Sequence, residues 1–323
     1  MIGGSKVRVK APVISYESAK AMIDIGVSEI YLGANASNLN NISYTGRGNS
    51  NHCNSQISIG FDELDEIVKL AHANDVKVTY LANLPQFTIP GESRDKIEKS
   101  FMEYIDIGLR ANVDGIVLAD IGQLLYLKEK NIDKEFYGSV YLATVNVEQV
   151  KFLKEIGFKR VTVEYHMMID EIKEMCEVEG MDIEVFGNFG GSHLNGRCSL
   201  YHNIGEKFDI GFPCKSTYDV ISEAPIDRKQ NIYDSNLYCS LCNIGELHKA
   251  GVDVLKITGR ELPPDVMSMI VKTYIDCIKY VEEGMSSIEA KEMAIKDVRS
   301  YWSKWCAKKR CKFKENNVTK YYL

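Results

Sequence analysis

The chain has 323 residues, 45% of them hydrophobic, enough for one large domain or a domain with appendages. A net charge of −6 gives the molecule as a whole no electrostatic attraction for nucleic acid. No run reaches the roughly 18 uninterrupted apolar residues of a membrane span, and the opening Met-Ile-Gly-Gly-Ser-Lys holds no signal-peptide core, so the expected location is cytoplasmic.

In chain order, short apolar runs alternate with amphipathic stretches. Val7 to Val13 is strand-like, and Tyr16 to Ile25 reads as a helix ending at Gly26. Glu29 to Gly33 is a strand that runs into a polar loop, Ala34 to Ser58, with seven Asn between Asn35 and Asn54. A loop of that length in a compact domain is functional or disordered. Phe61 to Asn74 follows as a helix with Leu64, Ile67, Val68 and Ala71 at helical spacing, then Val76 to Leu81 as a strand. The alternation continues with helix Arg94 to Ala111, strand Gly115 to Leu118, helix Ile121 to Lys130 and strand Phe136 to Leu142. Helix Val147 to Ile156, strand Arg160 to Val163, helix Met168 to Val178 and strand Ile183 to Gly187 complete that run. After an irregular Cys-bearing insertion (188–246) come Leu247 to Ala250, a strand at Val252 to Ile257, and two helices, Pro263 to Glu283 and Ser287 to Lys304.

Strands alternating with helices of this length pair in parallel through crossovers. Seven or eight units favour a (β/α) TIM-barrel-like fold, irregular or incomplete, over a doubly wound sheet. The expected organisation is a barrel-like catalytic domain over residues 1–265 carrying the insertion, with C-terminal helices and a basic tail, 266–323, packed on it. Chemistry in such barrels gathers at the C-terminal ends of the strands.

Nine cysteines without a secretory signal argue against a disulfide framework and towards metal ligation or catalysis. Cys198, Cys214, Cys239 and Cys242 crowd into one stretch, whereas Cys53, Cys176 and Cys277 are isolated and Cys306 and Cys311 form a separate pair near the end. By spacing alone the four crowded thiols suit structural zinc as well as an iron–sulfur cluster. His193, His202 and Cys53 are substitute ligands or ordinary loop residues; Cys176 and Cys277, on amphipathic helices, read as small buried hydrophobes. Lys304 to Lys320 holds seven Lys/Arg against one Glu, with Trp302, Trp305, Tyr321 and Tyr322 close by: either a solvated basic end or an RNA-binding tail. There is no His-Glu-x-x-His and no Gly-x-Ser-x-Gly.

The segment Glu184-Val-Phe-Gly-Asn-Phe-Gly-Gly-Ser-His-Leu-Asn-Gly-Arg-Cys198-Ser resembles the signature of the peptidase U32, or collagenase-like, family. Lys10-Ala-Pro, Tyr31-Leu-Gly33, Pro213-Cys214-Lys and the block from Cys239 to Arg260 resemble other family elements, in consistent order over residues 7–265. Two positions depart from the pattern: Gly191 stands at about the place of the first signature Cys, and Cys242 is added three residues beyond Cys239.

The resemblance implies a 4Fe–4S cluster on Cys198, Cys214, Cys239 and Cys242, as in relatives that hydroxylate RNA bases or ubiquinone precursors without oxygen. Structural zinc is the alternative cofactor. The implied substrate is RNA, a small molecule or a peptide, and a related partner subunit is a further expectation. Peptide cleavage is the alternative activity, and a metal-stabilised accessory protein without catalysis a third reading. Glu184 is a proton carrier or a fixer of the turn after its strand. Arg197 and Arg260 are candidate anion-binding residues, Lys256 lies near Arg260, and Asn83 and Asn146 are candidate cavity-lining residues or turn formers.

Overall fold

Alternation of side chains with period two, imposed on eight short strands, builds a barrel with two different faces. The structure, a computed structural model, describes residues 7–34, 59–84, 93–188, 218–219, 229–230, 238–260, 262–307 and 311–313. The strands are β1 (Arg8–Pro12), β2 (Glu29–Leu32), β3 (Lys77–Ala82), β4 (Gly115–Leu118), β5 (Glu135–Gly138), β6 (Arg160–Thr162), β7 (Asp182–Phe186) and β10 (Val254–Lys256). They close in the order β1-β10-β7-β6-β5-β4-β3-β2, every neighbour parallel, with closure sealed by Arg8 beside Val254 and Lys10 beside Lys256. Two-residue strands β8 (Tyr218–Asp219) and β9 (Lys229–Gln230) pair antiparallel within the insertion.

Helices fill the crossovers: α1 (Tyr16–Asp24), α2 (Phe61–His72), α3 (Arg94–Arg110), α4 (Ile121–Glu129), α5 (Val147–Ile156), α6 (Ile169–Cys176), α7 (Ile244–Ala250) and α8 (Pro264–Glu282). Local chemistry sets their ends. Ser15, Ser93, Asp120 and Asn146 each accept a backbone N–H of the first turn, and Gly157, at φ +116°, lets α5 stop in a left-handed turn that a Cβ would strain. The helix-facing strand positions, such as Val9, Ile30, Val78, Ile116, Val161, Ile183 and Leu255, join the inward stripes of the helices in one continuous core. The inward strand positions are mixed: Tyr31, Leu81, Val117 and Tyr137 form a small apolar cluster above buried Lys10, Glu29, Thr79, Arg160, Thr162 and Glu184.

The barrel is thus closed and eight-stranded, with all eight crossover helices. Helix α8 packs against β1 and α1, which makes it the last helix of the barrel. Three expected elements differ in detail. The run Phe136 to Leu142 is strand only as far as Gly138; Ser139 accepts the Tyr141 N–H, a 3₁₀ turn occupies Val140–Leu142, and Ala143 adopts a left-handed φ of 51°. The helix expected from Ser287 to Lys304 is two, α9 (Ser287–Ala294) and α10 (Arg299–Ala307), separated by a 3₁₀ turn at Lys296–Val298. That break buries Ile295 to 3% exposure and Trp302 to 2%, which one straight helix of this pattern does not do. Helix α7 starts earlier than the sequence suggests, at Ile244, directly after a 3₁₀ turn holding Cys242.

Candidate active site at the barrel mouth

Below the mouth lies a buried ionic network. Arg160 Nη1 donates to both oxygens of Glu29 at 2.8 Å from the far side of the barrel, and Thr79 donates to the same carboxylate. Lys10 Nζ stands 2.9 Å from Glu184 and 3.3 Å from Glu29. Thr162 donates to Glu184 at 2.8 Å, and Lys256 lies 3.3 Å from it. Burial by itself pushes the Glu184 carboxyl up, but Lys10, Lys256 and Arg160 together outweigh it and hold the group well below the usual carboxylate range. Glu29 is lowered for the same reason, with Lys10 and Arg160 overcoming its burial. These cations favour the ionised form of Glu184. This environment suits a fixed charge better than a carrier of protons.

Lys256 is the upward-facing member of this network. Burial pulls its amine down to about 8, against the opposing pull of Glu184, and Lys10 and Arg260 add to the lowering. Its Nζ sits over the rings of Tyr31 (4.9 Å) and Phe186 (5.2 Å). An amine in this range exchanges protons near neutrality. Arg260, half-buried just beyond β10, is thus close enough to Lys256 to influence it.

Immediately above β7, Gly187 and Asn188 organise the start of the thiol segment. The Gly187 carbonyl accepts Ser240 Oγ at 2.6 Å and the Tyr274 hydroxyl at 2.8 Å, and the Asn188 carbonyl accepts the Tyr238 N–H at 3.0 Å. The Asn188 side chain spans to β10 by donating to the Thr258 carbonyl at 2.7 Å and accepting the Thr258 N–H at 2.8 Å. Cys239, between Tyr238 and Ser240, is thereby fixed at the C-terminal ends of β7 and β10. Its thiol is 8% exposed as a residue, and burial pushes it up to about 12, with the Leu241 N–H opposing as a donor to the sulfur. A thiol so placed is a poor nucleophile at neutral pH unless a cation replaces its proton.

Of the other expected residues, Asn83 is buried at the end of β3 with its Oδ1 lacking a hydrogen-bond partner among the described residues. Asn146 caps α5 through a 2.8 Å bond from the Gln149 N–H, which is turn chemistry. Cys277 is a buried residue of α8, as its helical context suggests. Cys176 is only partly buried. Arg197, Cys198, Cys214, His193, His202 and Cys53 lie outside the described residues.

Lys312, which sequence reading places only in a basic tail, comes to the mouth. Its Nζ sits 5.7 Å from the Phe186 ring centroid and 5.9 Å from that of Tyr165. Burial draws its amine down to about 7, with Glu164 opposing. Lys10, Glu29 and Arg160 were equally invisible as a network, since they are distant in sequence; the only local hint was a charge inside a strand pattern. Trp302 packs edge-on to Tyr274 at 6.1 Å in the core, so this aromatic of the basic tail is not offered to a base. Among the described residues, no helix is long and apolar enough to cross a membrane.

The model of peptidase family U32 matches residues 14–315. The chain is 26% identical over 247 residues to tRNA hydroxylation protein P2 of Bacillus subtilis, covering 72% of this chain and 77% of that protein. It is 22% identical over 319 residues to a collagenase of Porphyromonas gingivalis, covering 91% of this chain and 72% of the relative. It is 24% identical over 206 residues to the 23S rRNA 5-hydroxycytidine C2501 synthase of Escherichia coli, across 61% of this chain but only 30% of that one.

Proposed function

The chain belongs to peptidase family U32, and from that premise we propose that it hydroxylates an RNA base without dioxygen, the oxygen atom and the two oxidising equivalents coming from an oxygen-donor co-substrate, with a 4Fe–4S cluster held at the barrel mouth. The observation that carries this reading is the anchoring of Cys239-Ser-Leu-Cys242 over the C-terminal ends of β7 and β10, the end where barrel enzymes do their chemistry. Likeness to proteins named for tRNA and rRNA hydroxylation supports the substrate class.

The donor chemistry fits. Thiolates are the soft ligands that iron–sulfur clusters take, and the Leu241 N–H directed at Cys239 stabilises a thiolate there. Cys239 and Cys242 would hold the cluster together with Cys198 and Cys214; structural zinc on the same thiols is the competing cofactor. When bound, the cluster supplies electron transfer beside the substrate. Lys256 holds or releases a proton at its Nζ, its affinity lowered to about 8 by burial. Arg260, with Arg197 beside the insertion's Cys198, orients an anionic group such as a backbone phosphate. Half-buried Tyr165, packed 4.6 Å from Phe186 between ring centroids, offers an aromatic face to a base. Glu184 keeps Lys10 and Lys256 in place and takes no part in proton transfer.

The test is nucleoside mass spectrometry of RNA from cells with and without the gene, together with iron, sulfide and zinc analysis of anaerobically purified protein. One hydroxylated nucleoside, lost with the gene and not restored by Cys239→Ser, is expected. Stoichiometric zinc without iron would remove the cluster. Likeness to a collagenase favours peptide cleavage as a second reading; cleavage of a peptide library that survives Cys239→Ser with Cys242→Ser would establish it. Activity restored only by adding a second family member would point to the accessory role.

A further inference from the structure

Cys306 and Cys311 lie more than sixty residues beyond Cys239 and Cys242 in sequence, yet the fold brings the two pairs together. Cys311 and Cys239 form a parallel β-bridge, and the Lys312 N–H donates to the Cys239 carbonyl at 2.9 Å. Side chains at directly paired positions leave the same side of the two backbones, so the two thiols share one space. Phe313, 7% exposed, is the apolar anchor that seats this last segment in the core. Cys242, Cys306 and Cys311 all lie within electrostatic reach of the Cys239 thiol, and Cys242 and Cys306 both act on Lys291. Leu241, between the first two cysteines, directs its N–H at the Cys239 sulfur, which satisfies a thiolate when it ligates.

Two short-spaced pairs, Cys239-x2-Cys242 and Cys306-x4-Cys311, meeting from separate parts of the chain are the arrangement by which proteins hold a thiophilic metal with four sulfurs. We propose that Cys239, Cys242, Cys306 and Cys311 form one four-thiolate metal centre that clasps the C-terminal segment to the barrel mouth. The inference rests on the proposed function only in placing metal at Cys239 and Cys242; it makes the C-terminal pair, rather than Cys198 and Cys214, the second half of the set. Among the described residues no three His, Cys, Asp or Glu side chains already surround a single point. Binding therefore draws the thiols inward. Cys306 is exposed, and Cys242 and Cys311 are only partly buried. The clasp has a consequence for the site, because it is the segment it holds that carries Lys312 over Phe186 and Tyr165.

The experiment uses the full chain, purified anaerobically and loaded in separate samples with zinc alone or with iron and sulfide. Bound metal is measured for wild type, for Cys306→Ser with Cys311→Ser, and for Cys198→Ser with Cys214→Ser. In parallel, iodoacetamide labelling of each cysteine in wild type is followed by mass spectrometry before and after loading. We expect the C-terminal double variant to lose metal affinity by about tenfold or more, the insertion double variant to retain it, and labelling of Cys306 and Cys311 to slow on loading. Metal retained by the C-terminal double variant overturns the inference, and its loss from the insertion variant in that case leaves the cluster reading intact on its own ligands. Zinc bound without iron, with Cys306 and Cys311 protected, upholds the inference while removing the hydroxylase reading. Should both double variants lose metal, wild-type labelling decides: protection of Cys306 and Cys311 supports the centre, and unchanged labelling overturns it. A wild type that binds neither metal overturns it as well.

Discussion

The inside of the barrel and its mouth treat charge in opposite ways. Inside, Glu29 and Glu184 are each met by both Lys10 and Arg160 within 3.6 Å, and pairing outweighs burial. At the mouth burial outweighs pairing: the amines of Lys256 and Lys312 are drawn down to about 8 and 7. The first arrangement freezes protonation states and supports the fold. The second leaves groups able to change state near neutral pH, as a site that handles substrate requires.

That contrast can be broken most severely from inside. Glu29→Gln removes the partner of Arg160 and leaves a buried guanidinium short of charge, so unfolding in urea should show a loss of about 3–5 kcal/mol. A loss under 1 kcal/mol would mean that water or Asp182, 3.5 Å from Arg160, takes over. Acid should act next. Both carboxyls have folded-state affinities for protons below the ordinary value of 4.5, so their stabilisation is complete above pH 4.5 and disappears as pH falls from there through the lowered folded values. Melting temperature followed from pH 6 to pH 3 should fall steeply below about 4.5 in wild type, and less steeply in Glu29→Gln. A wild-type curve flat to pH 3 would contradict the network. Smallest in stability is Lys256→Met, which still leaves Glu184 paired with Lys10 and Arg160 and should cost about 1 kcal/mol. Its effect belongs to the mouth: the proposed RNA hydroxylation should be lost while the urea midpoint barely moves. Equal damage to both would make Lys256 a member of the structural network only.

Much of the fold was legible because it is written locally. Leu64, Ile67, Val68 and Ala71 repeat at helical spacing and do form the buried stripe of α2, and alternation in Asp182–Phe186 gives a strand with one face to the helices. Where the reading overran, a local conformation intervened that residue pattern alone does not reveal: the left-handed Ala143 after β5, and the turn at Lys296–Val298 that sinks Trp302 into the core. Of the four expected cluster cysteines, Cys239 lies at the C-terminal ends of β7 and β10 and Cys242 in the 3₁₀ turn that follows, while Cys198 and Cys214 lie outside the described residues. Glu184, read as a proton carrier or a fixer of the turn after its strand, is a buried strand residue whose ionic partners come from residue 10, residue 160 and residue 256.

By itself the sequence determined the alternation of strands and helices, the caps that bound them and the existence of a short-spaced thiol pair, because each depends on residues within a turn or two of one another. Only the tertiary structure decided which charges cancel inside the barrel, which lysines are stripped of water at its mouth, and that Cys311 lies against Cys239. Those are properties of groups brought together by barrel closure, and a desolvation or an ion pair exists only once the chain has folded around it.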